Sequence, residues 1–177
     1  MAQVDYDALI AKIPDFPKPG VIFRDITTLL KDAEGFSAAI DDIAGHFAGK
    51  GITKVVGAEA RGFMIGAPVA YKLGAGFVPA RKPGKLPRET RSQEYELEYG
   101  FDSLELHEDA IEPDDVVLIV DDLVATGGTA VAQAKLIESF GAKLAGFGFL
   151  MELKTEFDPR VLIEREVGVD MYSLVQV

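Results

Sequence analysis

Two adjacent carboxylates, Asp121 and Asp122, end an apolar run that begins at Val116. A turn of small and hydroxylated residues follows, Ala125, Thr126, Gly127, Gly128 and Thr129, and a helix-forming stretch opens directly after it. Carboxylates accept hydrogen bonds from sugar hydroxyls. The free N–H groups of a Thr-Gly-Gly-Thr turn at a helix N-terminus suit a phosphate. Glycine lets the backbone approach the anion closely, and the two threonine hydroxyls add donors. A ribose 5-phosphate matches both halves. The plain alternative is a pair of strand-end acids capping the next helix, worth about 0.5–2 kcal/mol, with a turn that Thr129 closes. Two neighbouring acids repel one another, which favours a ligand or cation that offsets them. A Walker A loop is excluded because no Gly-Lys-Ser/Thr follows, and no G-x-G-x-x-G is present here to bind a dinucleotide.

Other chemistry-bearing residues lie in three places. Glu59, Ala60 and Arg61 follow the short apolar stretch Lys54–Gly57; alone, an arginine at a helix start is an ordinary solvated charge. Arg81, Lys82, Lys85, Arg88 and Arg91 gather positive charge in a chain whose net charge is −11. A protein this acidic binds a polyanion only by concentrating cations locally, and this cluster does so. With no larger Lys/Arg block, nucleic acid and anionic membranes are unlikely partners. Phe23, flanked by Ile22 and Arg24, offers a ring for stacking or for ordinary core packing. The absence of cysteine removes disulfides, thiolate metal sites and cysteine nucleophiles. His46 and His107 are far apart in sequence and read as packing or surface residues, not as a metal pair.

The elements that must position these groups are legible in outline. The length of 177 residues favours one domain, 1–177, and 48% hydrophobic content supplies a core. Val4–Ile13 reads as a short helix and Pro14–Gly20 as an ordered loop or extended arm. Glu34–Lys50 has helical period, with Phe36, Ile40, Ile43, Ala44 and Phe47 on one face. Strands are expected at Lys54–Gly57, Gly76–Ala80, Val116–Val120, Leu144–Glu152 and Met171–Val177, with helices over Arg61–Leu73 and Gly128–Phe140. Lys82–Gln93 reads as a mobile loop, with a hairpin formed by Tyr95–Tyr99 and Ser103–His107. Glu156–Asp170 carries no interpretable motif. Strands alternating with helices imply an α/β fold, a mostly parallel twisted sheet covered on both faces. Ligands in such sheets bind at the carboxyl ends of strands. The longest apolar runs are strand-sized, so no membrane span is expected and cytoplasmic residence follows by default.

The strand, acidic pair and Thr-Gly-Gly-Thr turn resemble the 5-phosphoribosyl-1-pyrophosphate (PRPP) motif of the type I phosphoribosyltransferases. The stretches Pro14–Leu30, Gly57–Phe63, Arg81–Thr90 and Leu97–Ile111 are similar, in the same order, to the bacterial-type adenine phosphoribosyltransferases within that family. The resemblance implies the type I phosphoribosyltransferase fold with a hood built from residues 1–33 and a flexible segment over 82–107. It implies transfer of the 5-phosphoribosyl group from PRPP to adenine, giving AMP and pyrophosphate, in a homodimer. Asp121 and Asp122 would bind the ribose hydroxyls, and Ala125–Thr129 the 5-phosphate. Glu59, Ala60, Arg81, Lys82 and Lys85 would serve the pyrophosphate, with a cis peptide between Glu59 and Ala60 and basic residues reaching the neighbouring subunit's site. Ile22, Phe23, Arg24 and Leu123 would hold adenine. Glu98, Arg61 and Tyr99 would act in catalysis, Glu98 at the imidazole edge of the base. Mg²⁺ is the implied cofactor, held mainly by PRPP and water and not directly by protein. The rivals are a transferase for a 6-oxo-purine and a non-catalytic PRPP-binding regulator. The first lacks a clear lysine for the oxo group, and the second lacks the added DNA-binding domain or basic face.

Overall fold

The computed structural model describes residues 4–96, 100–154 and 158–177. Helix α1 (Tyr6–Leu9) is one turn, capped by Asp5, and the chain then extends as β1 (Ala11–Pro14). The expected helix over Val4–Ile13 is thus helical only at Tyr6–Leu9. Pro14, which disfavours helix for the residue before it, sits at the end of a strand that pairs antiparallel with β2 (Ile22–Asp25). This two-stranded ribbon is followed by the single turn α2 (Thr27–Leu30), within the region expected to form the hood.

Helix α3 (Ala33–Phe47) starts where the Asp32 side chain accepts the Gly35 N–H at 2.7 Å. Its apolar face, Ile40, Ile43 and Phe47, is buried as the period requires. Then come β3 (Lys54–Ala58), α4 (Arg61–Leu73) and β4 (Gly76–Ala80), a right-sized βαβ unit. Gly74 at φ +68° ends α4, the left-handed cap that glycine takes most easily.

Strands β5 (Thr90–Glu96) and β6 (Phe101–His107) pair antiparallel, Thr90 opposite His107 and Glu96 opposite Phe101. The hairpin is therefore longer than expected, and residues 90–93 belong to it and not to a loop. The breaker-rich segment before Thr90 hides the period-2 signal that Arg91, Gln93 and Tyr95 carry. Strand β7 (Val116–Val124) precedes α5 (Gly128–Glu138), β8 (Lys143–Glu152), α6 (Pro159–Glu166) and β9 (Asp170–Gln176). Helix α6 lies in the stretch whose sequence had no interpretable motif; Asp158 caps it and Pro159 occupies its first position, both ordinary start signals.

One five-stranded sheet, order β4-β3-β7-β8-β9, is parallel at every pairing. Val117–Val120 are at most 0% exposed, so this strand is buried on both faces as parallel strands are. On one side Val117 and Ile119 pack with Ala134, Leu136 and Ile137 of α5. On the other, Leu118 and Val120 pack with Ile43 and Phe47 of α3 and Ile65 and Val69 of α4. Each fully buried aliphatic of this kind contributes about 1.5–3 kcal/mol. The chain runs outward from β3 to β4 and returns on the other side of β3 as β7. The carboxyl ends of β3 and β7 thus flank a topological switch point, where an open α/β sheet leaves a crevice.

Candidate active site

A cavity of about 260 Å³ opens at that switch point. Its floor is Ala58, which ends β3, Glu59 after it, and Asp121–Val124 at the end of β7; Ala125, Thr126, Gly127 and Thr129 form one wall. Arg61, Lys82 and Tyr95 reach it from α4, the loop after β4 and the hairpin.

The helices show what this cavity is built to take. Of the four helices with eight residues or more among the described residues, α3 and α6 carry Asp caps that accept a backbone N–H. Helices α4 and α5, which open onto the cavity, have no side-chain cap. Gly127 takes φ +89° at the start of α5, and the helical bonding begins with the Val131 N–H donating to Gly127 O at 3.0 Å. The N–H groups of the first turn are left facing the turn, with the positive end of the helix behind them. This is a seat for an anion.

The acidic pair is not beyond the strand, as the sequence suggests, but inside it: β7 continues to Val124. Asp122 is 5% exposed, with Oδ2 2.8 Å from Arg61 Nε; this oxygen has no aligned hydrogen-bond donor. Asp121 Oδ1 accepts the Asp122 N–H at 2.9 Å. Burial, and for Asp121 the neighbouring charge of Asp122, push both carboxyls above the ordinary carboxylate range, while Arg61 pulls Asp122 back. Helix α4 comes close to this pair. A Cβ added to Gly62 would sit 2.7 Å from Asp121 Oδ1, and one added to Gly57 would sit 2.8 Å from Gly62 O. The GAEARG block is thus a packing requirement as well as a loop.

The peptide between Glu59 and Ala60 is cis, as the resemblance implies. Arg81 Nε donates to Glu59 Oε2 at 2.7 Å, and this bond holds the Glu59 carboxyl below its ordinary value despite burial. Lys82 Nζ pairs with Asp102 and donates to the Tyr95 hydroxyl at 3.0 Å. Burial opposes its charge, yet these partners raise its pKa. Both cations are therefore paired within the protein; Lys82 lines the cavity, and Arg81 lies outside the lining, bonded to Glu59, which does line it.

The remaining residues named from sequence divide. Leu123 lines the cavity, but Ile22, Phe23 and Arg24 do not. Phe23 lies nearby: Arg61 Cζ stands 5.7 Å from its ring centroid, and Phe16 packs on it edge-on at 5.2 Å. Ile22 is 58% exposed on the hood, and Arg24 faces Asp7 with Nη1 3.5 Å from Oδ1. Lys85 lies outside the lining, and Gly128 opens α5. Glu98 and Tyr99 lie outside the described residues.

Two polar lining residues, Tyr95 and Gln133, lie outside the set that the sequence singles out. Tyr95 carries only the signal of a hairpin position in the sequence. Gln133 is 3% exposed, lies beside Asp121 and has an unpartnered Oε1. It stands four positions after Thr129, the spacing that puts two side chains on one helix face, so the signal was available. Among the described residues no cluster of three His, Cys, Asp or Glu side chains forms a metal cage. His46 instead stacks on Tyr172 and bonds Asp170 at 2.8 Å.

A parallel sheet with a buried acid pair and an uncapped glycine turn at its switch point defines a class, and the phosphoribosyl transferase domain family matches residues 25–162. The adenine phosphoribosyltransferase of Desulfitobacterium hafniense is 54% identical over 176 residues, covering 99% of this chain and 99% of that protein. The crystal structure of adenine phosphoribosyltransferase from Thermoanaerobacter pseudethanolicus superimposes with a TM-score of 0.90 at 51% identity, covering 98% of each chain. The enzyme from Saccharomyces cerevisiae, solved with an imino-altritol bisphosphate and adenine, gives a TM-score of 0.86 at 34% identity, with 97% of each chain covered. The chain belongs to the adenine phosphoribosyltransferases.

Proposed function

We propose that this protein transfers the 5-phosphoribosyl group of PRPP to adenine, giving AMP and pyrophosphate. The observation that carries the reading is the juxtaposition, in one cavity, of a buried acid pair and an uncapped Thr-Gly-Gly-Thr helix start. The two sit where ribose hydroxyls and a 5-phosphate of one molecule would lie. That the yeast relative was solved with adenine and a bisphosphate ligand supports the choice of base.

In this assignment Asp121 and Asp122 accept hydrogen bonds from the ribose hydroxyls, and the Ala125–Thr129 turn holds the 5-phosphate. Glu59, Ala60, Arg81, Lys82 and Lys85 serve the pyrophosphate. The purine nitrogen bonds to the anomeric carbon as the bond from that carbon to the pyrophosphate oxygen breaks, with inversion. Positive charge grows on the sugar while negative charge collects on the leaving group. Arg81 and Lys82 would offset the latter, and fixed cations of this kind cost no reorganisation during the reaction. Holding both substrates on one sheet edge contributes up to about 7–11 kcal/mol through proximity. Ile22, Phe23, Arg24 and Leu123 would cover the base, and Glu98 would receive the proton at its imidazole edge, with Tyr99 closing the site beside it. Closure of the 82–100 segment would exclude water that otherwise hydrolyses PRPP.

Mg²⁺ fits this site as a substrate-borne ion. Burial raises the Asp121 and Asp122 carboxyls above the ordinary range, and a cation held mainly by PRPP and water would offset the charge that this pair resists carrying. When bound it would supply further charge stabilisation to the leaving group. A homodimer is part of the proposal; Tyr71, 85% exposed on α4, and the neighbouring Met64 offer apolar surface for it. No described helix is long and apolar enough to cross a membrane, and we place the enzyme in the cytoplasm.

The deciding experiment offers each nucleobase separately with PRPP and Mg²⁺ and measures nucleotide and pyrophosphate. AMP from adenine alone is expected. IMP or GMP instead would keep the phosphoribosyl site and overturn the base assignment; PRPP binding without turnover would favour a regulator. Within the enzyme, Glu98→Ala lowers kcat more than it raises KM for PRPP, and equal losses would give Glu98 a positioning role. Gly62→Ala, whose methyl group meets Asp121, destabilises by about 1–3 kcal/mol and weakens PRPP binding. Thermal melting with PRPP titration checks both effects; an alanine variant that binds PRPP normally would show that the close approach is not needed.

A further inference from the structure

We propose that Arg160 is a positioning residue: clamped by Glu152, it holds the first turn of α6 against Gly127 and so fixes the phosphate turn. The idea rests on the assignment of that turn to the 5-phosphate. Arg160 is tied in from several directions. Its Nε lies 3.0 and 2.9 Å from the two Glu152 oxygens, and its Nη2 donates to Glu152 Oε2 at 2.6 Å and Ser173 Oγ at 2.8 Å. Nη1 donates to Met171 O at 3.0 Å. These donors are committed within the protein, so Arg160 is not itself a phosphate ligand. Glu152 is 7% exposed and pairs across the sheet with Val124, the residue before the turn begins. The clamp therefore refers α6 to the same strand end that launches the turn.

The other end of the device is a direct contact. A Cβ added to Gly127 would lie 3.4 Å from Leu162 Cδ2, from Pro159 Cα and from Pro159 O. Gly127 takes φ +89°, the conformation that turns the following N–H groups to the cavity. Helix α6 thus forms the wall against which the turn rests. A turn with no side-chain cap has little else to hold its amides in place before the anion arrives, and a small misplacement of binding groups is costly.

The test measures binding of ribose 5-phosphate and, separately, of inorganic pyrophosphate by calorimetry, with steady-state kinetics on the same preparations. Arg160→Ala is expected to raise Kd for ribose 5-phosphate and KM for PRPP by about tenfold, with pyrophosphate affinity and kcat changed less than about threefold. Arg160→Lys, which keeps the charge but loses the fork, recovers part of the loss. Leu162→Ala leaves the ion pair intact and removes the side-chain part of the contact with Gly127, Pro159 remaining, so it shows the same pattern in weaker form if Arg160→Ala fails to fold. A lower melting temperature with phosphate affinity unchanged in all three would overturn the proposal and leave Arg160 a stability residue. Thr129→Val is run beside them. If it weakens ribose 5-phosphate binding while the α6 variants do not, only the positioning role is lost. If it also has no effect, the phosphate assignment of the turn fails first.

Discussion

Asp122→Asn lowers kcat/KM for PRPP by about tenfold to a hundredfold, the cost of weakening a hydrogen bond to a charged acceptor. The carboxyl is 5% exposed and faces the Arg61 cation at 2.8 Å, with one oxygen lacking an aligned donor. Burying it costs free energy that a ribose hydroxyl would offset, so part of the bond's strength appears only when substrate is bound. Asparagine keeps the shape and one acceptor but drops the charge. It also frees Arg61, whose side chain is 39% exposed and so stays hydrated. The fold should lose little, and melting temperature should change by no more than a few degrees. Kinetics with PRPP varied, at saturating adenine, check the prediction. Unchanged kcat/KM would remove Asp122 from the sugar site, and a collapse of stability would make it a structural partner of Arg61.

How much of this was legible beforehand depended on where the signal lies. The buried strand, the acid pair and the glycine turn are contiguous, so sequence displayed their order and almost their geometry; only the extension of β7 past both acids was missed. Strand Gly76–Ala80 and helix Arg61–Leu73 have the boundaries their apolar spacing predicts. Contacts made across elements were not legible. Nothing local to Lys82 announces Asp102, twenty positions on, and nothing local to Arg160 announces Glu152 and Ser173. The hood shows the same limit. Phe23 was readable as a ring of use to a purine, but its place beside Arg61 and outside the cavity lining follows from the pairing of β1 with β2. The close fit of Gly62 to Asp121 was hidden too, because a glycine at a helix start reads as a turn residue until its neighbour across the crevice is known.

Asp121→Asn separates binding from folding, because its two effects have opposite signs. Burial and the adjacent Asp122 hold the Asp121 carboxyl above the ordinary carboxylate range in the folded, ligand-free protein. In the unfolded chain it ionises near the usual value of about 3.9. Below that pH it is protonated in both states and costs nothing. As pH rises, the unfolded state releases its proton first, so this group lowers folding stability progressively until the folded carboxyl ionises as well. Asparagine does not titrate and removes that loss. The variant should match the parent near pH 4 and exceed it at pH 8 by about 1–3 kcal/mol, the size of an uncompensated buried polar group, or a few degrees in Tm for a chain of this length. Activity moves the other way, with PRPP affinity falling because the acceptor charge is gone. Adding PRPP and Mg²⁺ should then stabilise the parent more than the variant, since binding stabilises the folded state in proportion to affinity. Melting curves across pH, with and without PRPP, decide it. A variant less stable than the parent at pH 8 without ligand would mean that the paired carboxylates are already offset inside the protein, and the acid pair would then read as part of the scaffold and not as a site waiting for a sugar.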